Sequence, residues 1–474
     1  MSDGLVVTPT PGKPALLLGG FDIAELGYGA QEFFVSSTAS SYASADELSA
    51  DGQWTVTPAD TAGYTTRIVA LTPTDPATFN GTVLVEWLNV SGGIDAPAVW
   101  MMAHREIARG GYAYVAVSAQ RVGIEGGANL MGIDMSLKAQ NATRYAPLHH
   151  PGDAFSYDIF SQIGALIKAG HGGVLGELRP DHVVALGESQ SAFFLTSYIN
   201  AVDPLAQVYD GFLVHSRFAP AAPLDSSSIF EEPQAETAQA VRFREDLRVP
   251  LVTIITETDL FGGVRMGYHL ARQPENPLLR VWEIAGTAHA DNYTIQVAPI
   301  DNGSAAIEDV VAAYEPTNML MGQQLGHYIN FAPQHHYVLQ AALSGLCEWV
   351  RTGRPAPSAA LIEITAADPP LPVLDPNGLA LGGVRSPWVD VPIARTSGLG
   401  GEESIMSMIF GSGEPFSVAS VRRLYPGGAE DYLQRFATAL DTAIVAGFIL
   451  PEDRSEILEL AAATYPLSID VTGG

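Results

Sequence analysis

Cysteine is almost missing from this chain. The single one, Cys347, excludes an internal disulfide and a cysteine-built metal cluster, and its place in the apolar stretch 343–350 reads as a packed thiol. Charge is sparse as well, at 16% of residues, and positive charge is sparser still: 24 Lys and Arg stand against 52 Asp and Glu, a formal net charge of −28. A field of that sign repels nucleic acid and anionic membranes, so neither is expected as a partner. The acidic residues are scattered rather than blocked, the pattern of a solvated surface. Nowhere is there a run of the roughly 18 apolar residues that a membrane-crossing helix needs. The start, Met1-Ser2-Asp3-Gly4-Leu5, lacks the basic residues and apolar stretch of a secretory signal, which leads to an expectation of a cytoplasmic protein or of a secreted one in processed form.

What is present is ample apolar material: 47% hydrophobic residues in 474, enough for a large core and for more than one domain. The first thirty residues are rich in Pro and Gly and poorly patterned. Residues 31–42 and 64–72 read as strands, and Val83-Leu84-Val85-Glu86-Trp87-Leu88-Asn89 as a third. Pro97 opens a helix that Gly110-Gly111 stops. From residue 112 strands and helices alternate: strands at 112–118, 182–186, 211–216, 251–256 and 279–285, helices at 155–168, 192–201 and 338–351. That alternation indicates an α/β architecture, a mainly parallel sheet with helices on both faces. The expected organisation is an irregular segment over 1–30, an α/β core over 31–353 and a C-terminal extension over 354–474, with helices at 432–446 and 452–463. Two stretches outside the minimal alternation, 220–246 and 295–333, are candidate lids or plain surface loops.

The chemistry concentrates at Gly187-Glu188-Ser189-Gln190-Ser191, between the apolar run at 182–186 and a helical run. A strand, a sharp turn and a helix with serine at the apex form the setting of a nucleophile elbow. Small residues must flank the serine at −2 and +2, where strand and helix nearly touch. Gly187 fits; Ser191 stands where glycine is usual. A serine hydroxyl needs a base, and the base an orienting acid. Downstream, the strand ending at Thr256-Glu257-Thr258-Asp259 offers the acid. Asp259 is preferred, and Glu257, two residues nearer with the same strand parity, is the alternative. The turn Ala285-Gly286-Thr287-Ala288-His289 offers the base at His289. An oxyanion hole needs two backbone donors. Gln190, at the start of the helix, is one candidate; Val90, or else Ser91, in Asn89-Val90-Ser91-Gly92-Gly93 is the other. Arg217 and Arg385 are candidates for a substrate carboxylate or for structural ion pairs. The adjacent pairs His149-His150 and His335-His336 do not converge easily on one ion, so no metal is expected.

These motifs, with Gly111-Tyr112-Ala113-Tyr114-Val115-Ala116-Val117-Ser118-Ala119-Gln120-Arg121-Val122-Gly123 and Gly382-Gly383-Val384-Arg385-Ser386-Pro387, resemble the α/β-hydrolase superfamily. Within it the chain is similar to the bacterial group called alpha/beta hydrolase domain-containing protein, from about residue 30 onward. The resemblance implies an eight-stranded sheet and no cofactor. It also implies a triad of Ser189, His289 and Asp259 or Glu257, and esterase-type hydrolysis of a small-molecule substrate through an acyl-enzyme. An acyltransferase using the same triad and a catalytically inactive binding scaffold are the rival readings.

Overall fold

The computed structural model describes residues 4–230, 238–263, 265–401 and 404–470. The chain divides into two compact units. The first is Met1–Leu251 with Leu270–Leu279 and Leu346–Pro355; the second is Val252–His269, Arg280–Gly345 and Ala356–Gly474.

In the first unit seven strands lie side by side. They are β1 (Val6–Thr10), β2 (Tyr28–Ser44), β3 (Val56–Pro73), β4 (Thr82–Trp87), β5 (Ala113–Val117), β6 (His182–Glu188) and β7 (Gly211–His215), in the order β1-β2-β3-β5-β4-β6-β7. The β5-β4-β6-β7 part is parallel. Every residue of β4 and β5 is buried, as their largely apolar sequences, Thr-Val-Leu-Val-Glu-Trp and Ala-Tyr-Val-Ala-Val, suit in a sheet covered on both faces. The β1-β2-β3-β5 part is antiparallel, and β2 and β3 make a hairpin with a register shift between Ser40 and Tyr42. β1 lies within the stretch expected to be irregular. Its sequence, Val-Val-Thr-Pro-Thr, contains a proline that excludes it from a central strand but suits an edge, which is where it lies.

The longer helices here are α1 (Ala98–Arg109), α2 (Ser156–Lys168) and α3 (Gln190–Ser197). Trp87, at the end of β4, packs against α2 and α3. Its ring lies 4.8 Å from Phe160 and 5.4 Å from Phe194, and its Nε1–H donates to Gln120. Each such pair adds about 0.5–1.5 kcal/mol beyond the burial itself. α1 has no side-chain cap of its own at Pro97. Its free N-terminal amides are met instead by Glu86 of β4, which accepts from Val99 N (2.8 Å), Trp100 N (3.1 Å) and Tyr114 Oη (2.7 Å) while fully buried.

The second unit holds, but for their first residues, the neighbouring strands β8 (Leu251–Thr256) and β9 (Leu279–Ile284), so among the described residues the strands of the alternation number nine where eight were expected, β1 being the addition. A short helix, α4 (Glu257–Phe261), follows β8 directly. The C-terminal extension pairs with β9 through Val384, whose N–H donates to Glu283 O at 2.7 Å and whose carbonyl accepts from Ala285 N at 3.1 Å. A Cβ on Gly383 would lie 2.6 Å from Glu283 O, so only glycine permits this approach. Helix α5 spans Gln334–Thr352, and the two C-terminal helices, α6 (Gly428–Ala446) and α7 (Arg454–Asp470), enclose an aromatic core of Tyr432, Phe436 and Trp388. The candidate lid 295–333 contains a helix at Ile307–Ala313 and a two-residue hairpin; of the candidate lid 220–246, residues 231–237 lie outside the described residues. Among the described residues no helix is long and apolar enough to cross a membrane.

Candidate active site

β6 ends at Glu188 and α3 begins at Gln190. Ser189 between them has φ 53° and ψ −115°, a conformation that costs a residue with a Cβ on the order of 1–3 kcal/mol and that recurs where function demands it. The turn is held by Ser189 N–H donating to His215 O and Ala192 N–H to Ser189 O, both at 2.9 Å. A Cβ on Gly187 would meet Ser191 O at 3.2 Å and Leu195 Cδ2 at 3.3 Å, which explains the small residue at −2. Ser191 is fully buried, and its Oγ has no partner among the described residues. Serine is accepted there for its size, not its bonding.

The loop after β4 is tied to the elbow by a residue that sequence reading passed over. Asn89 Nδ2 donates to Glu188 O (3.1 Å) and Glu188 Oε2 (2.9 Å), and its main chain pairs with Ala96. The signal was there, an asparagine opening a small-residue turn. Its Oδ1 accepts from Ser91 N at 2.7 Å, which occupies the amide of the alternative oxyanion donor. Val90 N–H points instead to Gln190 Oε1, at 3.3 Å. The backbone N–H of Gln190 is at the first position of α3, among the amides that a helix start leaves unpaired.

The second unit carries the candidate base and both candidate acids. His289 Nδ1 lies 2.6 Å from Asp259 Oδ1. The other oxygen, Oδ2, accepts from Thr256 N (2.8 Å) and Thr256 Oγ1 (2.7 Å), and Asp259 is fully buried. A carboxylate oxygen accepts, so Nδ1 carries the proton of this bond and Nε2 is the ring's other nitrogen. Glu257 is turned to a different task. It accepts from Gly286 N (2.6 Å), Gly398 N (2.9 Å) and Ser397 Oγ (2.8 Å), clasping the turn that leads into His289. Burial pushes its carboxyl above the ordinary carboxylate range, and these donors pull it back. Gly286 itself has φ 72°, and a Cβ there would press on Gln334 and Thr396 at 3.0 and 3.1 Å.

A family model described as an alpha/beta hydrolase domain matches residues 6–459. The chain belongs to the alpha/beta hydrolase domain family. Solved structures similar to this chain include an esterase from Pyrococcus furiosus, at 11% identity and TM-score 0.29, covering 57% of this chain and 87% of that one. A serine hydrolase without lid from Xanthomonas campestris is 13% identical at TM-score 0.28, covering 46% and 78%. A cold-adapted esterase from an Arctic intertidal metagenomic library is 14% identical at TM-score 0.28, covering 54% and 85%. No curated protein matches.

The two candidate arginines are bonded within the protein. Arg217 is fully buried, donates to the carbonyls of Phe218, Ala219 and Val241, and stacks over the Phe243 ring at 4.6 Å. Arg385 bonds Asp390 at 2.5 Å and the Ala380 carbonyl. Both guanidinium groups thus donate to protein acceptors. Cys347 is buried, and burial pushes its thiol up to about 12, far from a reactive thiolate. Among the described residues no group of three or more His, Cys, Asp or Glu is arranged to hold a metal ion.

Proposed function

We propose that this hydrolase cleaves carboxylic esters with Ser189 as nucleophile, His289 as base and Asp259 as orienting acid. The observation that carries the reading is the His289 Nδ1 to Asp259 Oδ1 hydrogen bond of 2.6 Å, with the far carboxylate oxygen held by Thr256. It is the arrangement that a general base requires, a ring fixed in one tautomer with Nε2 as its basic nitrogen. In the proposed reaction Nε2 takes the Ser189 Oγ proton as Oγ bonds the ester carbonyl carbon. The C–O bond to the alcohol then breaks, and the imidazolium returns that proton to the departing oxygen. Water, deprotonated by the same nitrogen, attacks the acyl-enzyme and releases the acid, and Ser189 regains its proton. Asp259 stabilises the imidazolium throughout, and no cofactor takes part. The acyl oxygen's developing charge is met by donors at the elbow.

The test is direct. The purified chain is expected to hydrolyse p-nitrophenyl acetate and to be labelled at Ser189 by a fluorophosphonate. Ser189→Ala is expected to lose several orders of magnitude in turnover and all labelling while remaining folded. Parent-level hydrolysis by Ser189→Ala would remove the assignment.

A further inference from the structure

Val90 N–H, the amide expected at the oxyanion hole, is already engaged. It donates to Gln190 Oε1 at 3.3 Å. A backbone N–H needs an acceptor, so the oxygen end of the Gln190 amide must face Val90 and the nitrogen end must face elsewhere. This settles the orientation of a group whose two ends look alike. Gln190 is 3% exposed, and its Nε2 has no hydrogen-bond partner among the described residues. That nitrogen is not among the fully buried polar atoms without a partner, so it keeps some access at the elbow, where an acceptor can meet it. The residue carrying it directly follows Ser189, and the oxygen of the same amide rests on an expected oxyanion donor. The clamp is also rigid: Asn89 ties the Val90 loop to Glu188, the residue before Ser189, through two bonds of 3.1 and 2.9 Å.

We infer that the Gln190 side chain is a catalytic donor whose Nε2–H bonds the acyl oxygen of the substrate as negative charge develops there. Gln190 then supplies two donors, its backbone N–H and its side-chain amide. Val90 becomes a positioning residue: its N–H holds Oε1 and so aims Nε2. The inference rests on the serine-hydrolase reading, and it names the group that the ester's acyl oxygen meets. For Val90 N–H to bind that oxygen directly, Gln190 would have to rotate out of an almost fully buried place. No bond is made or broken by this group; it contributes by hydrogen bonding in a site already folded around it.

The test compares Gln190→Glu, which keeps an acceptor for Val90 N–H but loses both amide protons, with Gln190→Met, which keeps the volume and loses both functions. On p-nitrophenyl acetate each is expected to lower kcat on the order of 10²-fold, with KM changed only a few-fold. Phenylboronic acid, whose adduct on a serine carries a tetrahedral anionic oxygen, is expected to lose affinity by a similar factor. Melting temperatures near that of the parent show that the variants fold, and where Gln190→Met does not, Gln190→Glu and its boronate affinity decide. Retained or raised kcat in a folded variant would show that the side chain only plugs Val90 N–H, and would overturn the inference. A parent labelled by fluorophosphonate at Ser189 whose Gln190 variants are unimpaired overturns this inference alone. A parent with neither esterase activity nor labelling overturns the hydrolase reading and this inference with it.

Discussion

His289 and Asp259 share a 2.6 Å hydrogen bond in which each carboxylate oxygen has a separate duty, Oδ1 to the imidazole and Oδ2 to the amide and hydroxyl of Thr256. Four residues of local chain, Thr256 to Asp259, therefore set the direction of the ring. The short helix α4 exists to do this: Thr256 caps it, Asp259 answers the Thr256 N–H, and the carboxylate is left with one free edge for the histidine.

Replacing Asp259 by Asn keeps the shape and removes one acceptor. The asparagine oxygen can satisfy Thr256 or the imidazole, not both. With the amide NH2 turned to the ring, Nδ1 must become the acceptor, and Nε2 then carries the proton it should be taking. Turnover of p-nitrophenyl acetate at neutral pH is expected to fall on the order of 10⁴-fold. A fall of less than tenfold, with correct folding, would remove Asp259 from the orienting role.

Glu257 is expected to behave differently. Its carboxylate satisfies two buried amides and a hydroxyl around the histidine turn. Glu257→Ala strands these donors and is expected to cost on the order of 3–5 kcal/mol in urea unfolding, as removal of one partner of a buried charged network does. Glu257→Gln, which retains one acceptor, should cost less and should leave kcat nearer the parent's than Asp259→Asn does. The reverse ranking of kcat would exchange the two acids.

The two acids could not be separated on the page of sequence for a definite reason. On a strand, residues 257 and 259 share a face, since side chains repeat every second residue. The strand ends at Thr256, however, and α4 begins at Glu257, where the period becomes 3.6 and two residues apart means nearly opposite faces. The settings of Ser189 and His289 were legible because each lies at a turn just after a mostly apolar strand, a local pattern. β1 was not, because Pro9 and Pro11 read as irregular until an edge position is known. Nor was the role of Arg217, whose acceptor at Val241 lies 24 residues away across a stretch without regular pattern.

The strain at Ser189 offers a stability test that is independent of substrate. Its φ of 53° suits glycine. Ser189→Gly is expected to be inactive yet more stable than Ser189→Ala by about 1 kcal/mol, read as a higher urea midpoint with unchanged slope. Such a trade between stability and activity is common at strained sites. Equal midpoints for the two variants would mean that the turn is not strained.

The last expectation concerns Glu86, under the N-terminus of α1. Burial is the largest influence on its carboxyl and pushes it up to about 8 from 4.5; bonds from Tyr114, Val99 and Trp100 oppose that, and the charge of Glu188 adds to it. In the unfolded chain this group ionises near its ordinary value, so between about 4.5 and about 8 the folded protein holds a proton that the unfolded chain has released. The stability contributed by Glu86 is thus fully present below the ordinary value and is lost as pH rises through the folded one. Glu86→Gln cannot titrate. The difference in unfolding free energy between parent and variant is therefore expected to move against the parent as pH rises from 5 to 8, at up to about 1.4 kcal/mol per pH unit. Comparing the two proteins cancels the titration of all other groups that behave alike in both. A difference that stays constant over that range would mean that the three donors around Glu86 keep it ionised in the fold, with α1 anchored by a full charge rather than by a neutral acid.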